Sequence, residues 1–497
     1  MKKITKMLCF SMAAATMACS MAGCFGGGTS GGQSGNPNAD LDGSLTLTVN
    51  EGATKSIVFE YLDAGFGDDP YIAVANAYMA KNKDVQVYLL PNVEIKNTVN
   101  SALTTNTNVS DIYSFDNESS IKTWGAKGLV EDLTDLLEEK TEDGVTMKDS
   151  MTGSAAKSVI NGGKVYGVPE YTNVTGFVYN IGLFEQYGWS IPNTTADLEA
   201  LCKQIIKDTS GKVSPIIWCE DGGGYLYFAT ENWIAQSAGV DKLNKFYEYG
   251  SKDVYALQDN DAGSLYSAKK GALENLMKFF LPSSEYVYDD SSTEQFMNAQ
   301  RKILSGEAAM MLNGSWFQTE MAADMAKDAY KDAKIGMFAV PEMSDADGNV
   351  IRMGGNNSTD RVLSASYGAY YFIPSAAPAK EEAKDFLLYM SSKEACEVYT
   401  QYSNAIRPFN YDYSSTSAVY SKVSDFGKSV LKMADEYVLY APVTLNPIAT
   451  KGASLWLWDG RIEGAVMRDK GANDADYYLS EAQKTANAKW DSWTSKL

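Results

Sequence analysis

Trp316 follows a buried-strand pattern at the point where the chain turns towards solvent. Ala308 to Leu312 is a run of small and apolar residues that predicts a buried strand, and residues 313–315, Asn-Gly-Ser, predict an exposed turn. The face of an indole ring carries partial negative charge and attracts polarised C–H groups. We therefore expect Trp316 to offer a flat binding surface at the end of this strand.

The absence of histidine removes several kinds of catalytic site. None of the 497 residues is histidine, which excludes Ser-His-Asp and Cys-His catalysis, imidazole general bases and histidine-ligated zinc. Carboxylate chemistry such as glycoside hydrolysis stays open, and Asp116 with Glu170 is a pair that could perform it. Nothing in the composition demands catalysis, and we expect no cofactor or metal.

The first 23 residues have the pattern of a secretory signal peptide. Lysines near the start precede an apolar run from Met7 to Ala18, and small residues follow. Residues 21–24, Met-Ala-Gly-Cys, resemble a bacterial lipobox. That resemblance implies that Cys24 becomes the first residue and carries acyl chains such as palmitate. A secreted protein with a chance cysteine at this position is the alternative.

A glycine-rich segment follows the signal peptide. Residues 24–44 include the run FGGGTSGGQSGNPNAD, which has no apolar periodicity and predicts a flexible tether. A lipid on Cys24 would hold the folded body at the extracellular face of the cell membrane. Such an anchor is needed most where no outer membrane retains the protein, which favours a Gram-positive cell.

Charge and length limit the partners and the architecture. The formal net charge is −20 and becomes more negative once the lysines of the signal peptide are removed. This balance disfavours nucleic acids and anionic lipid headgroups as partners, and it fits a neutral or cationic ligand. A chain of 497 residues exceeds one ordinary core, so we expect at least two domains.

Strand patterns alternate with helix patterns after the tether. The early ones are a strand at 56–62, a helix at 70–81, and strands at 85–90 and 111–115. Further on, Thr194-x-x-Asp197 predicts the start of a helix. This alternation predicts an α/β fold built on mostly parallel sheets. The cysteines beyond the tether, Cys202, Cys219 and Cys396, are too few for a disulfide framework and fit core packing.

Residues 161–201 carry the most distinctive motif. A Gly-Lys-x-Tyr-Gly-x-Pro hairpin at 163–169 leads to a strand that ends in Tyr179-Asn180, and a Leu-Phe helix, Pro192 and a Thr-capped helix follow. Residues 306–316 match a second pattern, Gly-x-Ala-Ala-Met-x-x-x-Gly-x-Trp. Together these segments resemble the family 1 extracellular solute-binding proteins of ABC importers, the maltose-binding type.

Further matches follow in the order that this family shows. Residues 111–117 resemble the early strand that delivers an aromatic and an acid to the ligand cleft. Residues 334–342 resemble the return crossover between the lobes, and residues 367–399 resemble the strand and helix after it. The resemblance therefore covers nearly all of the chain after the tether.

The resemblance implies a two-lobed α/β fold of the periplasmic-binding-protein type (type II). Each lobe has a central, mostly parallel sheet flanked by helices, and a hinge joins the lobes around a ligand cleft. We expect the hinge segments at Glu170–Thr175 and Val340–Asp345. The expected N-terminal lobe is 45–172 with 342–392, and the C-terminal lobe is 173–341 with 393–497.

The implied function is the capture of a carbohydrate, specifically an oligosaccharide, and its delivery to an ABC transporter permease by hinge closure. The expected partners are that sugar, the permease subunits and, through Cys24, the membrane; the protein is expected to be a monomer. The side chains expected in the cleft are Trp316, Phe115, Asp116, Phe59, Glu60, Tyr61, Tyr171, Trp218, Tyr225, Trp456 and Trp458.

Two other functions stay open. The same fold could bind a peptide or another small solute, and the cleft aromatics do not reproduce a familiar pattern of sugar specificity. The segment at the end of the first strand has Phe59-Glu60-Tyr61 where maltose-binding types often have tryptophan. The second alternative is the glycosidase that would use Asp116 and Glu170.

Overall fold

Two separate β-sheets organise the chain, and helices cover them. The computed structural model describes residues 41, 43–115, 118–219, 225–354, 360–443 and 446–495. The predicted signal peptide, Cys24 and nearly all of the tether lie outside these residues. The strands are β1 (Lys55–Tyr61), β2 (Val85–Pro91), β3 (Ile112–Phe115), β4 (Ile160–Asn161), β5 (Lys164–Val165), β6 (Val168–Asn173), β7 (Thr175–Asn180), β8 (Ser214–Ile216), β9 (Ala308–Gly314), β10 (Ile335–Phe338), β11 (Val362–Ser364), β12 (Ser366–Phe372) and β13 (Val438–Tyr440).

The helices are α1 (Asp69–Lys81), α2 (Ile95–Thr105), α3 (Glu118–Ala126), α4 (Met147–Ser150), α5 (Ile181–Tyr187), α6 (Thr195–Thr209), α7 (Tyr227–Ala238), α8 (Val240–Tyr247), α9 (Tyr266–Phe280), α10 (Phe296–Ser305), α11 (Phe317–Glu320), α12 (Ala322–Met325), α13 (Lys380–Met390), α14 (Lys393–Ser403), α15 (Asp425–Glu436), α16 (Ile462–Asp469) and α17 (Ala475–Thr494). The observed bounds of β1, α1, β2 and β3 agree with the sequence prediction to within one residue. At α6, Thr194 and Asp197 form the predicted reciprocal cap.

The first sheet has the strand order β2-β1-β3-β12-β6. Strand β1 pairs in parallel with β2 and β3, whereas β12 runs antiparallel to both β3 and β6. Helices α1, α13 and α14 pack against this sheet and share one hydrophobic core with it. Parallel strands that are joined through helices are covered by those helices. They are therefore buried and contain residues such as Val and Ile, as the sequence predicts.

The second sheet has the order β10-β7-β9-β8. Strand β9 is buried along all seven residues, and the run from Ala308 to Leu312 predicts this for its first part. The exposed turn expected at residues 313–315 was wrong, because Asn313 and Ser315 are fully buried. Alternate residues of the sheet enter two different cores, because successive side chains point to opposite faces. Met310 and Leu312 pack with α7 and α9, whereas Met311 packs with α10 and α15.

The chain crosses between the two sheets beside the strand ends. Strand β6 of the first sheet ends at Asn173 and β7 of the second begins at Thr175, so the first crossing lies within the hinge expected at Glu170–Thr175. The chain returns at Ala365, between β11 and β12. A third crossing follows between Tyr411, in the core of the first sheet, and Val419, in a core of the second.

The return crossing expected in residues 334–342 and the hinge expected at Val340–Asp345 were wrong. Strand β10 folds back onto β7 as an antiparallel neighbour instead of leaving the second sheet. Val340 and Met343 are then buried in a core of that sheet. The chain stays with the second sheet until Ala365, so the hinge candidate moves there.

The lobe boundaries stay a prediction, and the packing favours two changes to them. The described residues of this segment, 342–354 and 360–364, belong with the second sheet rather than the first, since Met353 and Val362 lie in its core. Helix α14 begins after the expected boundary at 392 but packs on α1 of the first sheet. We therefore favour moving the third boundary to about residue 365 and the fourth to the crossing after Tyr411.

The three cysteines beyond the tether are buried, one in each hydrophobic core. Cys202 lies in one core of the second sheet, Cys219 in the other, and Cys396 in the core of the first sheet. The prediction that they act as small packing residues is confirmed. In the part of the chain that is described, no helix is both long and apolar enough to cross a membrane.

Candidate ligand-binding site

Trp316 lies where the two sheets with their helices meet. It comes just after β9, at the start of the short helix α11, and it is half-buried. Its ring packs edge-to-face on Tyr225 and Phe228, with ring centres 5.9 and 6.0 Å away. It contacts the cores of both sheets. The sequence prediction of an aromatic surface at this strand end agrees with that location.

A glycine turn of the first lobe covers the same region. The loop after β1 contains Gly65 and Gly67, both with left-handed φ angles of +72° and +67°. A β-carbon on Gly65 would lie 4.0 Å from that of Trp316, and one on Gly67 would lie 3.4 Å from the methyl group of Thr319. The loop therefore approaches α11 across the boundary between the lobes, and larger residues would hold the two apart.

Phe66 and Tyr171 form the aromatic wall on the first lobe. Phe66 is buried in the same glycine turn, and its ring meets that of Tyr171 edge-to-face at 4.9 Å. Tyr171 lies on β6 beside the first crossing and packs over Gly368 of the neighbouring strand, where a β-carbon would stand 2.1 Å from the ring. Tyr171 thus lies beside the first crossing, and its place in the ligand cleft stays a prediction.

Glu320 places a carboxyl group next to the aromatic rings of the second lobe. It follows Trp316 by four residues, and Gln300 donates a 3.2 Å hydrogen bond to its Oε2. Burial raises the pKa of Glu320 to about 7. Burial, followed by the negative charge of Glu320, raises the pKa of Tyr225 well above its usual value. A carboxyl group near aromatic side chains suits a ligand that has an apolar face and hydroxyl groups at its edge. The aromatic ring contacts the apolar face, and the carboxyl group forms hydrogen bonds with the hydroxyl groups.

A second polar group lies beside the return crossing. Thr230 donates a hydrogen bond to the carboxylate of Glu463, and Ser364, at the end of β11, donates one of 3.4 Å to Glu231. The guanidinium of Arg461 lies 3.6 Å from the centre of the Tyr227 ring, a cation–π contact. The three elements α7, β11 and α16 supply these side chains.

Burial changes the protonation of this second group. It raises the pKa of Glu231 to about 7, and the nearby Glu463 raises it further while Arg461 lowers it. Burial also raises the pKa of Glu463. Near neutral pH the carboxyl group of Glu231 can therefore act either as a hydrogen-bond donor or as an acceptor.

Three residues predicted for the cleft belong to the core of the first sheet. Phe59 is enclosed by Tyr71 of α1 and Phe386 of α13, and Phe115 by Trp124 and Phe372. Tyr61 is buried, stacks on Tyr71 at 4.0 Å and donates a 2.5 Å hydrogen bond to Asp68. These expectations are corrected, because β1 and β3 are interior strands whose aromatic side chains point into the core under the helices.

Glu60 points away from that core but is occupied by its neighbours. Its carboxylate accepts hydrogen bonds of 2.7 Å from Asn92 and 2.8 Å from Ser110. Both partners belong to the first lobe, in the loops after β2 and before β3. Asp116, the acid expected beside Phe115, lies outside the described residues.

The tryptophans predicted elsewhere on the second lobe have other neighbours. Trp218 is buried after β8 and belongs to a core of the second sheet. Trp456 lies near Lys269 of α9, and Trp458 packs on Tyr478 of α17 at 5.3 Å. Their ring contacts do not include Trp316. Their place in the ligand site stays a prediction.

Sequence reasoning missed five residues that the fold brings to the boundary or to the second polar group. They are Phe66, Phe228, Glu231, Glu320 and Glu463. Only Glu320 carried a usable signal, since a residue four positions after Trp316 lies on the same face of a following helix. The others come from a loop and from two helices that are distant in sequence, so no spacing along the chain joins them.

Glu170, one of the two carboxylates that the glycosidase alternative requires, is not accessible to a substrate. Glu170 has an exposed fraction of 0% and accepts hydrogen bonds from Ser114 and from Tyr399, the latter 2.7 Å long. Arg407, also buried, donates to Tyr371 beside it. Glu170 and Arg407 thus belong to one buried polar group, in which the negative charge of Glu170 favours the charged guanidinium. Within the described ranges, no group of three or more acids or cysteines is arranged to hold a metal ion.

Known proteins match the chain in both sequence and structure. The family model for bacterial extracellular solute-binding proteins matches residues 54–395. A "Multiple sugar-binding protein" of Streptococcus mutans is 24% identical over 48% of this chain and 49% of its own length. The "Diacetylchitobiose binding protein NgcE" of Streptomyces coelicolor is 23% identical over 70% of this chain and 68% of its own length. The chain thus spans about half the length of the first of these relatives.

Solved structures show the same fold. The apo form of RafE from Streptococcus pneumoniae has a TM-score of 0.60 at 16% identity and covers 88% of this chain, with 98% of RafE matched. Maltose-bound MalE3 of T. maritima has a TM-score of 0.56 at 16% identity, with 87% and 99% of the two chains covered. The fold is therefore that of maltose-binding-type proteins, and the chain belongs to the family of bacterial extracellular solute-binding proteins.

Proposed function

We propose that this protein captures a carbohydrate, specifically an oligosaccharide, outside the cell and delivers it to the permease of an ABC importer. The relatives named above are sugar-binding and diacetylchitobiose-binding proteins, and solved neighbours include RafE in complex with raffinose. The observation that carries the proposal in this chain is Trp316, which lies half-buried at the lobe boundary with Tyr225, Phe228 and Glu320 around it.

The chemistry of these side chains suits a sugar ring. One face of a pyranose presents C–H groups, which stack on Trp316, while its edge presents hydroxyl groups. Glu320 accepts a hydrogen bond from a hydroxyl when it is ionised and donates one when it is protonated. Tyr171 and Phe66 then close the ring from the side of the first lobe. Such a site selects shape and hydroxyl positions rather than charge.

Closure of the two lobes would complete the site. Chain crossings at Val174 and Ala365 and a third beyond Tyr411 are the positions where a hinge can absorb backbone rotation. The contact of Gly65 and Gly67 with the Trp316 region is the one that opens when the lobes separate. A sugar that contacts both walls shifts the equilibrium towards the closed form. The size of the shift is set by how much more tightly the sugar binds the closed form than the open form.

We also propose that the protein performs no reaction and is held at the cell surface. Its relatives are binding proteins, and the buried Glu170 does not suit a glycosidase acid or nucleophile. Lipidation of Cys24 and the tether of 24–44 would keep the body at the extracellular face, as a monomer that reaches the permease. Mass spectrometry of the mature protein tests this directly, since an acylated Cys24 as first residue is the expected result.

A thermal-shift screen tests the ligand class. Neutral mono- and oligosaccharides, short peptides and cationic solutes are added to the mature protein at equal concentration. An oligosaccharide at 100 times its dissociation constant adds about 2.7 kcal/mol to the free energy of unfolding. If only peptides or cationic solutes raise the melting temperature, the protein binds the alternative class of ligand and the sugar proposal is wrong.

A further inference from the structure

We propose that Asn404 of the first lobe is a positioning residue that holds the lobes together beside Trp316, through the short helix α11. Its contact favours the closed form before any ligand binds, and it thereby raises the affinity for the ligand. The gain in affinity rests on the proposed function, whereas the effect on lobe closure does not. Three observations carry the inference: the place of Asn404 in the fold, its hydrogen bonds to the second lobe and the neighbours of α11.

Asn404 ends a helix of the first lobe and is itself buried. It follows α14, whose residues Ala395, Cys396 and Tyr399 belong to the core of the first sheet. Its backbone has a left-handed φ of +59°, the conformation in which many helices end. Asn404 is 7% exposed. A buried amide group needs hydrogen-bond partners, because it has lost those that water supplies.

The partners of that amide group belong to two elements of the second lobe. Nδ2 of Asn404 donates a 3.1 Å hydrogen bond to Oε1 of Gln318 in α11. The hydroxyl group of Ser424, the N-cap of α15, donates a 2.5 Å hydrogen bond to the same oxygen and lies 3.4 Å from Oδ1 of Asn404. The three side chains therefore meet at one point where the two lobes touch.

Helices α11 and α15 are part of the second lobe. Phe317 of α11 and Phe426 of α15 lie in one core of the second sheet, with ring centres 6.3 Å apart, and α15 packs on β10. A β-carbon on Gly427, in the first turn of α15, would stand 2.1 Å from Oδ1 of Asn404. The end of α14 therefore lies close against α15, and the glycine leaves the room that Asn404 occupies.

The contact reaches the candidate site through α11. Gln318 and Thr319 are consecutive residues of this helix, which begins directly after Trp316. Gln318 accepts the hydrogen bond from Asn404, and the methyl group of Thr319 would lie 3.4 Å from a β-carbon on Gly67. The first lobe therefore contacts α11 at two neighbouring positions. Separation of the lobes breaks these contacts, so removal of one of them shifts the equilibrium towards the open form.

Distances between spin labels on the two lobes test this inference without a ligand. The labels are attached to Val93→Cys of the first lobe and Asp328→Cys of the second, both at exposed positions. The mature chain carries Cys24→Ser, and its cysteines beyond the tether are buried. Asn404→Gly keeps the left-handed backbone and removes only the amide group. We expect the ratio of open to closed molecules to rise by a factor of about three or more, the scale of one lost hydrogen bond.

Asn106→Gly is the matched control. Asn106 ends α2 of the first lobe with a left-handed φ of +53°, and it is exposed, so this variant should keep the wild-type distances. Gln318→Ala removes the acceptor on the second lobe and should act in the same direction as Asn404→Gly. The double variant should differ little from either single one, because both lose the same contact. If Asn404→Gly fails to fold, Gln318→Ala still performs the test.

Ligand binding gives a second measurement. The apparent dissociation constant equals the intrinsic one divided by the fraction of closed molecules. The oligosaccharide found by the thermal-shift screen should therefore bind Asn404→Gly more weakly, by the factor by which the closed fraction falls. If no sugar binds the wild type, the proposed function is wrong, and the distances measured without ligand still decide whether Asn404 holds the lobes together.

Three results would overturn the proposal. Wild-type distances in both Asn404→Gly and Gln318→Ala would make Asn404 a helix end with no effect on closure, even if both variants were less stable. An equal change in Asn106→Gly would assign the effect to the backbone of helix ends. A double variant with the summed effect of the two single ones would show that the two side chains act independently.

Discussion

The indole ring of Trp316 lies flat against Gly314, two residues before it. A β-carbon built on Gly314 would stand 2.2 Å from two ring carbons of Trp316, closer than any real contact allows. The glycine at the end of β9 therefore fixes where the ring can lie. Its backbone needs no unusual dihedral angle, so the requirement comes from the close approach of the ring and not from the turn.

Gly314→Ala should displace the ring and weaken the binding of the sugar ligand at least tenfold. The added methyl group forces the Trp316 side chain from its position, and overpacking of this kind costs about 1–3 kcal/mol of stability. Isothermal titration calorimetry measures the affinity, and chemical unfolding measures the stability. Gly250→Ala is the control, since a β-carbon there meets no atom within 4 Å. If Gly314→Ala keeps the wild-type affinity, the position of the Trp316 ring does not determine sugar binding, which would contradict this prediction.

Protonation of Glu231 should make the protein more stable at pH 5 than at pH 8. Its folded pKa of about 7 exceeds the ordinary glutamate value of 4.5, so the folded state binds the proton more tightly than the unfolded state does. The stabilisation is complete below the unfolded pKa and is lost as the pH rises through about 7. Between pH 8 and pH 5 the difference in unfolding free energy between wild type and Glu231→Gln should change by about 1–3 kcal/mol.

Urea unfolding at several pH values checks this prediction. Glu199→Gln is the control with the opposite sign, because hydrogen bonds from Lys203 and Lys278 lower the pKa of Glu199. Its contribution is present above the unfolded pKa and is lost only as the pH falls below that range. A wild-type slope that persists in Glu231→Gln would assign the effect to another group.

Glu170→Gln should destabilise the protein without removing any catalytic activity. The change removes the negative charge that acts on the buried guanidinium of Arg407 and weakens the acceptors of Ser114 and Tyr399, which costs about 1–3 kcal/mol. Adding Arg407→Met should recover part of that loss, because the unpaired charge then disappears. Guanidinium unfolding measures both variants. Release of sugar from a glycan by the wild type, lost in Glu170→Gln, would contradict this account and restore the glycosidase alternative.

The local elements were predictable because their signals are local. The capping box at Thr194 and Asp197, the buried run of β9 and the strand at 111–115 depend on a few adjacent residues. The crossing at Ala365 was not predictable, because strand β10 has the same apolar pattern whether it leaves the second sheet or folds back onto β7. Only the pairing with β7 decides, and pairing is a long-range property.

The location of the candidate site residues in the fold was predictable for Trp316 and less so for the others. Trp316 and Tyr171 follow from motifs with fixed spacing, whereas Phe59 and Phe115 were assigned to the cleft because they lie near strand ends. Alternation along a strand shows that neighbours point to opposite faces, but it does not show which face a helix covers. Glu231 and Glu463 come from helices more than 200 residues apart in sequence, and only tertiary packing joins them.

Titration of the wild type and of Trp316→Ala with neutral oligosaccharides tests the central claim most directly. We expect at least one oligosaccharide to bind the wild type and to bind Trp316→Ala at least tenfold more weakly, a loss of about 1.4 kcal/mol. Trp189→Phe is the control. It changes a buried tryptophan that is distant from Trp316 in sequence, and it should keep the wild-type affinity. Equal affinity of wild type and Trp316→Ala for the sugar, or no sugar binding by the wild type at all, would contradict the account.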